Sequence, residues 1–99
     1  MNYSYRKKPV AIEAFQMTKE RRWDNSEWPN WLHKAWNTEA GEGSLFIDAD
    51  DPARERLCVG TLEGVYRVKW GDWIIQGVVG EIYPCADAVF VETYDVVAE

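Results

Sequence analysis

The sequence predicts an α+β fold: a small, strongly bent antiparallel sheet of about five strands, one Trp-rich helix and a short C-terminal helix. Three observations lead there. Gly64 to Cys85 compresses three short β-type segments and their glycine-marked turns into one stretch. Trp28, Trp31, Leu32, Ala35 and Trp36 recur at helical spacing, which places them on one side of a helix. Leu57–Leu62 and Val65–Trp70 flank Glu63-Gly64, the two-residue connection of a β-hairpin in which glycine supplies positive φ.

The elements follow in order. Val10, Ile12 and Ala14 alternate with Ala11, Glu13 and Phe15, so the first strand runs from about Val10 to Met17, with Pro9 at its start where no N–H is required. The charged run Thr18 to Arg22 then leaves the sheet for solvent. Pro29 is compatible only with a first helical turn, so the Trp helix begins near Asn25, Ser26 or Trp28. Thr38 to Gly43 breaks it. Ser44–Asp48 is a short strand, and Ala49 to Arg56 an exposed acidic loop. Beyond the hairpin, Gly71-Asp72 turns the chain into Trp73–Gln76, and Gly77 to Gly80 turns it again into Glu81–Tyr83. Val89, Phe90, Thr93 and Tyr94 give Ala86–Tyr94 a helical face, while Val89, Val91, Val96 and Val97 keep a strand reading open near the end. A hydrophobic content of 46% over 99 residues fits a single compact domain spanning 1–99.

Composition excludes several functions. A net charge of -6 repels phosphate backbones and anionic lipid, so nonspecific nucleic-acid or membrane binding is not expected. No secretory or membrane-spanning apolar run occurs, and the two cysteines, Cys58 and Cys85, read as reduced thiols of a cytoplasmic protein. His33 is the only histidine, which leaves neither a metal-ligand spacing nor a nucleophile–histidine pair, and it reads as a solvated helix residue. Asp48, Asp50 and Asp51 lack the glycine and the distal glutamate of a calcium loop. Gly71, Gly77 and Gly80 precede no helix and no Lys-Ser/Thr, so they are turns and not a phosphate loop. Glu63 and Glu81, or Asp72 and Glu81, are carboxylate pairs that a folded sheet could bring together for acid–base work, although Glu63 and Asp72 also have turn roles. Of the thiols, Cys85 precedes a helix start and is the better candidate for a depressed pKa. No catalytic residue, metal or cofactor is assigned.

Basic and aromatic residues offer a different chemistry. Arg6, Lys7 and Lys8 cluster beside Tyr5, while Arg67 and Lys69 share one face of their strand, with Tyr66, Val68 and Trp70 on the other. If the first strand pairs near the hairpin, Arg6, Lys8, Arg67 and Lys69 meet in one basic pocket, with Trp70 or Trp73 as the ring, holding a phosphate and stacking a base. The same basic opening also serves as an edge that discourages aggregation.

Tyr5-Arg-Lys-Lys-Pro-Val-Ala-Ile-Glu-Ala-Phe-Gln16, Thr61-Leu-Glu-Gly64, Gly71-Asp-Trp-Ile-Ile-Gln-Gly77 and Gly80-Glu-Ile-Tyr-Pro-Cys85, with Phe90 and Tyr94 behind them, resemble a family of small bacteriophage and prophage proteins. The resemblance implies a phage gene product in the host bacterial cytoplasm and brings no enzymatic activity or cofactor with it. The expected function is a host-directed accessory role by binding, sequestering a small nucleotide-like or phosphorylated ligand. The alternatives are an inhibitor that occupies a host protein through its acidic or Trp-rich surface, and thirdly a small enzyme built on Asp72, Glu81 or Cys85. A homodimer is expected from short sheets with open edges.

Overall fold

Two three-stranded antiparallel sheets, not one bent sheet, form the frame in the computed structural model, which describes residues 3–6 and 8–97. Lys7 of the basic opening lies outside the described residues. Strands β1 (Glu13–Gln16), β5 (Trp73–Gln76) and β6 (Ile82–Cys85) make one sheet in the order β1-β5-β6. Strands β2 (Leu45–Ile47), β3 (Leu57–Thr61) and β4 (Gly64–Val68) make the other in the order β2-β3-β4. The helices are α1 (Lys19–Trp23), α2 (Asn30–Trp36) and α3 (Asp87–Thr93), with a 3₁₀ turn at Asn25–Glu27. The α+β class therefore holds, while the strand count rises to six and the sheet divides.

Pro84 gives the division a local cause. It sits inside β6 opposite Ile74, and a residue without an N–H is accommodated at a sheet edge, where it offers no donor to a further strand. β6 consequently packs beside β3 and β4 without joining their ladder.

The first strand is shorter than its alternation suggests because its partner runs out. Glu13 pairs with Gln76, the last residue of β5, so residues before Glu13 have no ladder to join. At its other end the pairing is prolonged by Met17 N–H to Asp72 O at 2.8 Å and Gly71 N–H to Met17 O at 2.7 Å.

The run from Thr18 does not enter solvent as a free loop. Thr18 Oγ1 accepts from Arg21 N–H at 3.2 Å and starts α1 as an N-cap. Arg21 donates to Gln16 O at 2.9 Å and lies over the Phe15 ring, while Arg22 sits between the rings of Trp23 and Trp36. Burial in that aromatic slot lowers the Arg22 pKa. Trp23 and Trp36 thus supply a place for a charge expected in water.

One hydrophobic core is shared by both sheets and α2: Ile74 and Ile82 meet Leu45, Leu57, Val59 and Val68, with Leu32 and Ala35 from the helix. Trp28, just before α2, is 5% exposed and donates its Nε1–H to Arg21 O at 2.7 Å, and Trp31 and Trp36 pack on the core's margin. His33 is half-buried and tilted against Trp28 at 5.5 Å between ring centroids, not a fully solvated helix residue. Every residue of β3 except Thr61 is buried, because the strand is central in its sheet and its second face is covered. At Gly60 that cover is the backbone of Gly41, whose carbonyl occupies the space a Cβ would need.

Helix α3 packs back on β5 by aromatic stacking. Trp73 and Phe90 lie 4.1 Å apart with planes within 9°, Phe90 continues onto Tyr94, and Trp73 Nε1–H donates to Asp87 Oδ1 at 2.8 Å. Val89 and Thr93, expected on the same apolar face, are exposed.

Candidate functional site

The β3–β4 hairpin is bounded by concavities on both sides. Its register pairs Thr61 with Gly64, so the connecting residues are Leu62 and Glu63, one position earlier than the Glu63-Gly64 expected from glycine placement. Gly64 instead takes the strand's first position with φ 132°, and Thr61 Oγ1 pins the turn by accepting from Glu63 N–H at 3.1 Å. The shift moves the turn and not the strand, so Arg67 keeps its place in β4, while Lys69 follows the strand's end at Val68.

A smaller cleft of about 300 Å³ is lined by Arg67, Lys69, Trp70 and Arg56, with Asp51 and Glu55 from the preceding loop. Trp70 belongs here despite its odd place in the strand pattern. β4 stops at Val68, so Trp70 lies in the turn from Lys69 to Asp72, outside the strand's alternation, and lines the cleft with Arg67. Gly71, with φ 97°, stands where that turn needs positive φ, and Asp72 Oδ2 accepts from Lys69 N–H at 2.9 Å. Arg56 is paired with Asp48 at 3.4 Å; neither Arg67 nor Lys69 has a carboxylate within ion-pair distance among the described residues.

The acidic loop beside the cleft is organised by a single side chain. Asp51 is 9% exposed and its carboxylate accepts from the N–H groups of Ala53, Glu55 and Arg56 at 3.1, 2.9 and 2.8 Å. The bonds from Arg56 and Glu55 hold its pKa below the ordinary carboxylate range. Part of the loop expected to be solvated is therefore a built turn. Arg54 contributes its one left-handed residue, at φ 56°.

The six residues expected to form one pocket do not all meet. Arg67, Lys69 and Trp70 come together. Arg6 and Lys8 are exposed and do not line the cleft, because the first strand pairs with β5 and not with the hairpin. Trp73 is engaged with Phe90 and Asp87 on the other sheet. Arg56 is the lining cation that linear reading missed, and its position after the Asp51 turn was the available signal.

A larger groove of about 870 Å³ lies between the tips of the β3–β4 and β5–β6 hairpins. Leu62, Tyr66, Val79, Tyr83 and Pro84 give it an apolar surface, and Glu42, Glu63 and Glu81 give it three carboxylates. Glu63 accepts from Tyr66 Oη–H at 3.2 Å, and Glu81 from Val79 N–H at 3.2 Å. Tyr83 is pushed up to about 12 by burial first and by its contact with the Tyr94 hydroxyl at 3.5 Å. Glu63 and Glu81 both line this groove, and Asp72 does not, being used in the Lys69–Asp72 turn.

Cys58 and Cys85 are free thiols. Burial raises the pKa of both, with Asp48 adding to Cys58 and Asp72 to Cys85, so the expectation of a depressed Cys85 is overturned despite its place before α3. No cluster of three or more metal-ligating side chains and no helix long and apolar enough to cross a membrane occurs among the described residues. Comparisons with known protein families, curated proteins and solved structures give no match.

Proposed function

We propose that this chain is a phage-encoded accessory protein of the host bacterial cytoplasm that acts by binding, and that its ligand is a small nucleotide-like or phosphorylated molecule held in the cleft of Arg67, Lys69, Arg56 and Trp70. One observation carries the reading: two cations without carboxylate partners among the described residues stand beside a ring that is 41% exposed, in a cleft of about 300 Å³. Phosphate oxygens complement the guanidinium and ammonium groups, and a base or similar ring complements the indole face. Glu55 and Asp51 restrict the site to ligands that keep negative charge near Arg67 and Lys69.

Titrating a panel of mono-, di- and cyclic nucleotides while following thermal shift and tryptophan fluorescence tests this. A saturable response lost in Arg67→Ala and Trp70→Phe supports it, and silence across the panel removes it. A second reading, occupation of a basic host protein, is favoured by the acidic groove at the hairpin tips. The Trp28/Trp31/Trp36 stripe offers that reading little, because Trp28 is core.

A further inference from the structure

Among the described residues, the chain carries both halves of a complementary pair without joining them. The groove between the hairpin tips is apolar in its lining and acidic through Glu42, Glu63 and Glu81. At the other end of the charge scale, the N-terminal arm reads Tyr3-Ser-Tyr-Arg-Lys-Lys-Pro-Val10. Its described residues are exposed, with Tyr3 at 73% and Tyr5 at 92%, and they belong to no helix or strand.

We propose that the N-terminal arm of a second copy of this chain lies in the acidic groove, with Arg6 and Lys8 against Glu42, Glu63 and Glu81 and its tyrosines on the apolar surface, so that two copies exchange arms.

Four observations support a second copy as the occupant. Opposite charges are concentrated on the two surfaces, in a protein whose overall charge of -6 would otherwise keep copies apart. Tyrosine and arginine are the side chains that contribute most at protein interfaces, and the arm supplies both beside a Pro that limits the entropy lost on docking. Reach is sufficient: an extended segment from Glu13 back to Tyr3 spans roughly 30 Å, against a molecule with extents of 55 × 31 × 23 Å. The pairing is reciprocal, arm to groove and groove to arm, which closes a two-fold dimer and leaves no open chain of copies.

A charge-exchange experiment tests it by sedimentation equilibrium, with circular dichroism to verify folding. One variant reverses the arm (Arg6→Glu with Lys8→Glu) and the other reverses the groove (Glu63→Lys with Glu81→Lys). The wild type should be a dimer whose association weakens with salt, and each variant alone should weaken association about tenfold or more. Mixing the two variants should restore dimers, because each arm again meets a groove of opposite sign. A wild type that stays monomeric at every concentration overturns the proposal, as does a dimer indifferent to both variants. So does a monomer in which groove and arm cross-link within one chain. All these residues are solvent-facing, so a folding defect in one variant leaves the other, and the salt dependence of the wild type, as the deciding measurements.

Discussion

Replacing Gly60 with Ala places a methyl group where the Gly41 carbonyl already stands. The obstacle is backbone, and it is tied on both sides: Gly43 N–H donates to Gly60 O at 2.9 Å, and Gly60 N–H donates to Ser44 O at 2.9 Å. Relief therefore requires the 41–44 segment to lift from β3. Overpacking of this kind costs about 1–3 kcal/mol, and weakening two backbone hydrogen bonds adds about 1 kcal/mol each if they are lost. With both bonds lost, roughly 3–5 kcal/mol of stability goes, which lowers Tm by roughly 15–25 °C for a domain of this size. Urea denaturation followed by tryptophan fluorescence measures it, with an unchanged m-value indicating that the native state and not the unfolded chain is affected. Gly77→Ala is the matched comparison. A Cβ there meets only the end of the Glu81 side chain, which can rotate, so its effect should stay within about 1 kcal/mol. If Gly60→Ala proves as stable as the wild type, the close approach of the 41–44 backbone to β3 is wrong, and the Glu42 wall of the groove with it.

Other expectations follow from single contacts. Asp51 has its pKa lowered by backbone N–H groups, so its contribution to stability is complete above the ordinary aspartate range near 4 and is lost as pH falls through the lowered value; Asp51→Ala should flatten the acid limb of a denaturation series between about pH 5 and 2. Tyr83 has a phenol pKa raised to about 12, so any stability linked to it is present below the usual tyrosine range and declines as pH rises through 12. Absorbance titration should show one late tyrosine, moved to lower pH by Tyr94→Phe. Phe90→Ala removes the ring stacked between Trp73 and Tyr94, and should cost about 1–3 kcal/mol because Phe90 is only half-buried; hydrogen exchange localised to α3, with little change in β3, is the accompanying signature.

Local chemistry made much of this protein legible. The 3.6 period of Trp31, Leu32, Ala35 and Trp36 specifies α2 because those side chains share one face whatever they pack on. The glycines mark real turns: Gly71 and Gly80 have positive φ, a requirement that belongs to the backbone alone. Alternation likewise placed Arg67 and Lys69 together before any partner strand was known. Where the reading went astray, a partner was needed. Trp70 escapes the alternation expected of it because β4 ends at Val68, and the Lys69–Asp72 turn determines where it goes. Arg22 was sent to solvent because nothing in linear order announces an aromatic slot between Trp23 and Trp36.

Charge, period and turn residues thus determined by themselves that the chain would make short antiparallel strands, a Trp-bearing helix and a hairpin carrying two cations on one face, since each depends on neighbours within a few residues. Tertiary structure alone decided that β1 pairs with β5, that the strands divide into two sheets, and that Arg6 and Lys8 lie apart from Arg67 and Lys69. Strand pairing is a long-range choice made by burial and by which edges retain donors, and no local spacing encodes it.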